Sequence, residues 1–166
     1  MELNKIPKGG GEIFGLSIAS EGEKVFISWG DSKEGLFFAE LDNGAVINKT
    51  LIIDKTLISQ MNTMKNKLYI DSSMAVDKEG NVFVLLNNNV KEKGEVILAC
   101  RSNGYWLEPL KLFDGDDPIT IGDIKIDDKG KVHIAYQKGS LRNNQIGCFY
   151  MSLMPKSAKG DKVVQP

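Results

Sequence analysis

Hydrophobic residues fall in short runs along this chain, and clusters of glycine, asparagine and aspartate separate the runs. Such punctuation predicts β-strands joined by tight turns. Two stretches are close copies of one another, Ala75-Val76-Asp77-Lys78-Glu79-Gly80-Asn81-Val82-Phe83-Val84 and Lys125-Ile126-Asp127-Asp128-Lys129-Gly130-Lys131-Val132-His133-Ile134. A worn third copy, Ser17-Ile18-Ala19-Ser20-Glu21-Gly22-Glu23-Lys24-Val25-Phe26-Ile27, carries one extra residue in its turn. The anchors Ile18, Val76 and Ile126 set periods of 58 and 50 residues. Periods in this range mark solenoids and propellers.

Each copy opens with a strand and a turn. Asp77 and Asp127 suit the first turn position, where a carboxylate accepts backbone N–H bonds, and Gly80 and Gly130 supply the positive φ that closes a type I turn with a bulge. The second strands follow as Val25 to Trp29, Val82 to Leu86 and Val132 to Tyr136. Two of these three are apolar on both faces, which predicts sheets packed on both sides. After a polar loop come third strands, Leu36 to Leu41, Val96 to Cys100 and Ile146 to Met151. Hairpin turns at Asn43-Gly44 and Asn103-Gly104 then lead to fourth strands, Val46 to Ile53 and Leu107 to Phe113. A four-stranded meander, repeated and buried on both faces, predicts an all-β chain of propeller blades.

The blades are expected at about 12–53, 71–113 and 119–154, within one domain spanning 1–166. Residues 54–70 form an insertion with Leu57, Ile58, Met61 and Met64 near helical spacing, which predicts a short helix or a decorated loop. The third repeat lacks a fourth strand, whereas Glu2 to Ile6, ahead of a glycine-rich loop, resembles Pro109 to Phe113 ahead of Asp114-Gly115-Asp116. Residues 2–6 are therefore expected to complete a third blade. Closed rings of blades usually number about four to eight. Three blades per chain thus predict a homodimer forming one six-bladed ring, closed by exchange of N-terminal strands.

Composition narrows the partners. Twenty-one basic residues against 22 acidic ones leave a net charge of −1 without blocks, unlike the basic stripe that nucleic acid requires. No apolar run approaches the roughly 20 residues that span a bilayer. No hydrophobic leader is visible near the N-terminus, so the chain reads as cytoplasmic or as secreted with its signal removed. Cys100 and Cys148 sit in apolar runs without a second ligand nearby, and read as small buried hydrophobes with reduced thiols, a disulfide being the alternative. Neither a metal site nor a cofactor site is expected. His133, the single histidine, is read as a core or inter-blade residue, and Gly9-Gly10-Gly11 lacks the lysine and helix of a phosphate loop.

The string Ser102-Asn103-Gly104-Tyr105-Trp106-Leu107-Glu108-Pro109-Leu110, followed by Ile124 to Tyr136, resembles the sialidase-like propeller superfamily with Asp-box (bacterial neuraminidase) repeats. The resemblance implies the propeller fold. Those repeats carry an aspartate in the turn between third and fourth strands. Here Asn103-Gly104 replaces it and Trp106 keeps the aromatic, while Asp42-Asn43-Gly44-Ala45-Val46 has lost the aromatic as well. Catalysis does not carry over. Sialidases hold a carboxylate with three arginines, whereas this chain has only Arg101 and Arg142.

The binding end of such a ring is expected where second strands meet their polar loops. Trp29, Leu86 and Tyr136 occupy equivalent places there, beside Asp31, Asn87, Asn88, Gln137, Lys138 and Arg142. Aromatic platforms with amides and charges suit a sugar, whose C–H faces stack while its hydroxyls bond. The competing reading is that Trp29 and Tyr136 pack between blades. The function expected is a non-catalytic binding or scaffold protein with a glycan or protein ligand. Its alternatives are a purely structural subunit of a larger assembly, or a glycosidase or lyase using carboxylates such as Asp31 and Asp123.

Overall fold

Apolar runs become strands that pair with their neighbours in sequence. The computed structural model describes residues 10–54, 70–90, 93–115, 119–140 and 145–154. Strands β1 (Ile13–Glu21), β2 (Lys24–Asp31), β3 (Gly35–Asp42) and β4 (Ala45–Asp54) form an antiparallel meander in that order. The second sheet contains β5 (Ile70–Val76), β6 (Val82–Val90) and β7 (Lys93–Ser102). Its outer edge is divided between β8 (Tyr105–Trp106) and β9 (Leu110–Gly115). The third sheet holds β10 (Ile119–Ile126), β11 (Val132–Ser140) and β12 (Gln145–Leu153). The chain is therefore all-β, and no helix occurs among the described residues. The expected strand at 2–6 and insertion core at 55–69 lie outside the described residues.

The turns follow their residue types. Asp77 and Asp127 each accept, through Oδ1, the backbone N–H groups two and four residues ahead at 2.8–3.0 Å. Gly80 and Gly130 take φ of 78° and 75°, as the turn chemistry required. At the other hairpins Asn43 and Asn103 also take positive φ, followed by Gly44 and Gly104, the signature of a type I′ turn. One strand departs from expectation. After Leu107 donates its N–H to the Cys100 carbonyl at 2.8 Å, the fourth strand of the second sheet is interrupted at Glu108-Pro109, because Pro109 has no N–H to give the ladder, and pairing restarts at Leu110.

The three sheets stack through their faces, with β1 beside β5 and β5 beside β10. Phe26, Leu36, Phe38 and Ile53 of the first sheet meet Met74, Val84, Leu86 and Ile97 of the second. On the reverse of the second sheet, Phe83, Leu85, Val96 and Leu98 meet Ile119, Ile124, Val132 and Ile134 of the third. Burial on both faces explains why β6 and β7 contain the unbroken apolar runs Val82–Leu86 and Val96–Cys100. The relation is directional. Positions 82, 84 and 86 face the preceding sheet, as do 132, 134 and 136, while 83 and 85 face the following one.

Candidate functional site

The expected loop end is largely occupied by structural work. Asp31 is fully buried, and its carboxylate accepts backbone N–H groups from Gly11, Lys33 and Glu34 at 2.8–3.2 Å. Asn87 is buried as well. Its amide donates to the Ile119 carbonyl at 2.7 Å and accepts from the Asp71 N–H at 2.9 Å, tying the second sheet to the third. Tyr136 is half-buried against the core between second and third sheets, stacked on Phe149 at 5.5 Å between centroids. Of this set Gln137 is exposed. Arg142 lies outside the described residues, as does the side chain of Asn88.

Trp29 occupies the repeat position of Leu86 and Tyr136, so it points to the side where a preceding sheet would stand. It stacks on Phe37 at 5.5 Å, and the Lys49 ammonium lies 5.7 Å from the Trp29 ring and 4.6 Å from that of Phe37. Both rings are enclosed, at 3% and 6% exposure, while the Trp29 indole N–H has no hydrogen-bond partner. Ala39 beside them is buried too, while at β1 this side of the sheet is exposed. Ile18, cross-strand from Ile27, is 66% exposed, and Leu16, in the bulge opposite Trp29, is 70% exposed.

The third sheet presents a different outward face. His133 stands where the second sheet has Phe83, and its ring is hydrogen-bonded at both nitrogens. Nε2 lies 3.1 Å from Asp127 Oδ2, and Nδ1 lies 2.7 Å from the Tyr150 hydroxyl. An ionised carboxylate only accepts, so Nε2 carries a hydrogen; in the neutral ring Nδ1 then accepts from Tyr150. The N–H of Lys131, helped by His133, holds the Asp127 carboxyl below the usual aspartate range. Ala135, Gln137, Cys148 and Ser152 complete this exposed face. Cys148 thus corrects the expectation of two buried thiols. Its place on β12 points away from the core, whereas burial pushes the Cys100 thiol up to about 12.

Two further features were missed in the sequence. Arg101 reaches from β7 into the first sheet, where Nη2 pairs with Glu40 at 3.0 Å and the guanidinium lies 5.3 Å from the Phe38 ring centroid. Lys24 approaches the same carboxylate at 2.8 Å. Burial pushes Glu40 up, but Lys24 and Arg101 together outweigh it and hold the carboxyl below its ordinary value. The second feature is a groove of about 320 Å³ between the Asp77–Gly80 and Asp127–Gly130 turns, spanned by a Lys78–Asp128 pair at 2.7 Å. The equivalent turns give this groove away in the sequence; the 61-residue separation of Glu40 and Arg101 hides their pairing.

Among the described residues, no group of three or more His, Cys, Asp or Glu side chains is placed to hold a metal ion. No helix among them is long and apolar enough to cross a membrane. Comparison of the chain with protein-family models and with curated proteins found no match.

Proposed function

We propose that this chain is a non-catalytic binding or scaffold unit of the propeller type, its three sheets serving as neighbouring blades. One observation carries the reading: successive sheets use the same strand positions to meet the sheet before them, with Leu86 and Tyr136 as equivalents. Repetition of one face-to-face junction is how propellers, and repeat proteins generally, build a continuous core. The glycosidase reading gains little support. Its two named carboxylates belong to different sheets. Asp31 is spent on backbone N–H groups, while Asp123 is engaged by Ser73 at 3.2 Å and Lys125 at 3.3 Å.

A purely structural subunit is favoured by one fact. Asp31 and Asn87, expected to bind ligand, satisfy buried backbone instead. A glycan array comparing wild type with Gln137→Ala separates the two readings, because Gln137 is exposed at the loop end. Sugar retained by wild type and lost by the variant supports glycan binding there. A folded protein that retains nothing on the array supports the structural subunit.

A further inference from the structure

We propose that the hairpin turn at Asn103-Gly104 is a site of spontaneous modification, where Asn103 converts to aspartate and isoaspartate. Arg101 directs the reaction to this turn in preference to the sister turn at Asn43-Gly44. The chain holds these two Asn-Gly pairs. Both turns are exposed, with φ of 47° and 79° along the first and 51° and 84° along the second. The chemistry is internal to the chain. The Gly104 backbone nitrogen gives up its proton and bonds to the side-chain carbonyl carbon of Asn103. The bond from that carbon to Nδ2 breaks, and ammonia leaves with the proton. Water then opens the cyclic imide at either carbonyl, leaving an aspartate linked through its α- or its β-carboxyl. Glycine has no Cβ to cover the attacking nitrogen, and an exposed turn admits hydroxide as the base.

The two turns differ in the charge beside that nitrogen. The step passes through an anionic nitrogen and an anionic tetrahedral centre, so a nearby cation favours it and a nearby anion opposes it. At the second turn Arg101 Nε donates to the Gly104 carbonyl at 3.3 Å, and Nη2 stands 4.0 Å from the point where a Gly104 side chain would begin. Glu40 shares this guanidinium, but Lys24 pairs with the same carboxylate, and two cations against one anion leave the cluster positive. At the first turn the near group is the Asp42 carboxylate, which accepts from the Asn43 amide at 2.9 Å and holds it. The corresponding contact of the Asn103 amide, with the Ser102 hydroxyl, is looser at 3.5 Å. Two other asparagines are shielded. Asn87 is buried and bonded at both ends of its amide, while Asn81 donates to Asp77 and precedes the buried, β-branched Val82. Conversion at Asn103 adds a carboxylate beside the guanidinium that joins the first two sheets, giving Glu40 a rival for it.

Incubation of the folded protein in mildly alkaline buffer tests this, with peptide mass spectrometry reading the amide-to-acid mass shift and isoaspartate at each site. Wild type is expected to convert at Asn103 ahead of Asn43, with Asn81 and Asn87 unchanged. Arg101→Gln is expected to slow Asn103 about tenfold, the lower end of what an opposite charge a few ångströms away does to an acidic group. Loosening of the fold by that substitution would quicken both turns, so a slower Asn103 is not a by-product of lost stability. Asp42→Ser is expected to quicken Asn43 and to leave Asn103 as it was. Wild type that converts at neither turn, or first at Asn43, overturns the proposal. So does an Asn103 rate that Arg101→Gln leaves unchanged or raises, or an Asn43 rate indifferent to Asp42→Ser.

Discussion

The outward faces of the two end sheets share a backbone plan and differ in chemistry. On the side away from the second sheet, the first sheet carries exposed Leu16 and Ile18 beside the buried Trp29, Phe37 and Ala39; the third carries Lys125, His133, Gln137, Tyr150 and Ser152. Both lie opposite the faces that meet the second sheet. The contrast arises at single positions of one repeat. His133 replaces Phe83 and Ala135 replaces Leu85, so the third sheet satisfies its outward groups by hydrogen bonds rather than by packing. The lesson is that the repeat sets where a side chain points, while its identity decides whether that side needs a partner sheet.

The largest expected effect comes from the face that is already closed. Phe38 is fully buried, 5.9 Å from Phe26 and edge-on to Trp106 at 5.1 Å. Phe38→Ala should cost about 3–5 kcal/mol in urea unfolding by opening a cavity between the sheets. Tyr150→Ala, on the outward third face, should cost far less in a monomeric background. Equal losses would erase the distinction between inward and outward faces.

Arg101→Ala comes next. It leaves Glu40 buried beside Lys24, and a loss of about 2–3 kcal/mol is expected by the same measurement. The pH dependence sharpens the assignment. Glu40 is held below its ordinary value, so the unfolded chain binds the proton first and stability falls as pH drops from about 4.5 through the folded value. Glu40→Gln should flatten that acid limb, and an unchanged limb would remove Glu40 as its source.

Gly80→Val and Gly130→Val should each cost about 1 kcal/mol or more, since φ near +75° strains a β-branched residue. Neither site crowds a Cβ, so the cost is backbone strain alone. Matching losses at both glycines would show that second and third sheets use their turns alike, despite their different outward faces. The smallest effect is expected for His133→Phe, which writes the residue of the second sheet into the third. Melting temperature should shift by little, within about 0.5 kcal/mol at an outward position. The Tyr150 hydroxyl loses its hydrogen-bond partner there, and a loss well beyond that figure would show that this outward contact carries stability.

Much of the fold was legible in the chain because strands and turns are local events. Asp77-Lys78-Glu79-Gly80 carries its own acceptor and its own positive-φ residue within four positions, and the structure returns both. Asn43-Gly44 and Asn103-Gly104 announced their hairpins for the same reason. Pro109 also gave a readable warning, since a proline inside a run demotes it as a strand. The site was less legible. Asp31 and Asn87 look like ligand-binding residues in sequence because a carboxylate and an amide serve a sugar or a buried N–H equally well.

By itself, then, the sequence determined the strand order, the turn types and the repeat that aligns Trp29, Leu86 and Tyr136. These depend on residue types within a few positions of one another. Tertiary structure alone decided that Arg101 crosses to Glu40, that Asn87 anchors β10, and that His133 bridges Asp127 and Tyr150. Which side of each strand is covered depends on a neighbouring sheet some fifty residues away, and no local pattern records the charge, size or hydrogen-bonding groups that sheet brings.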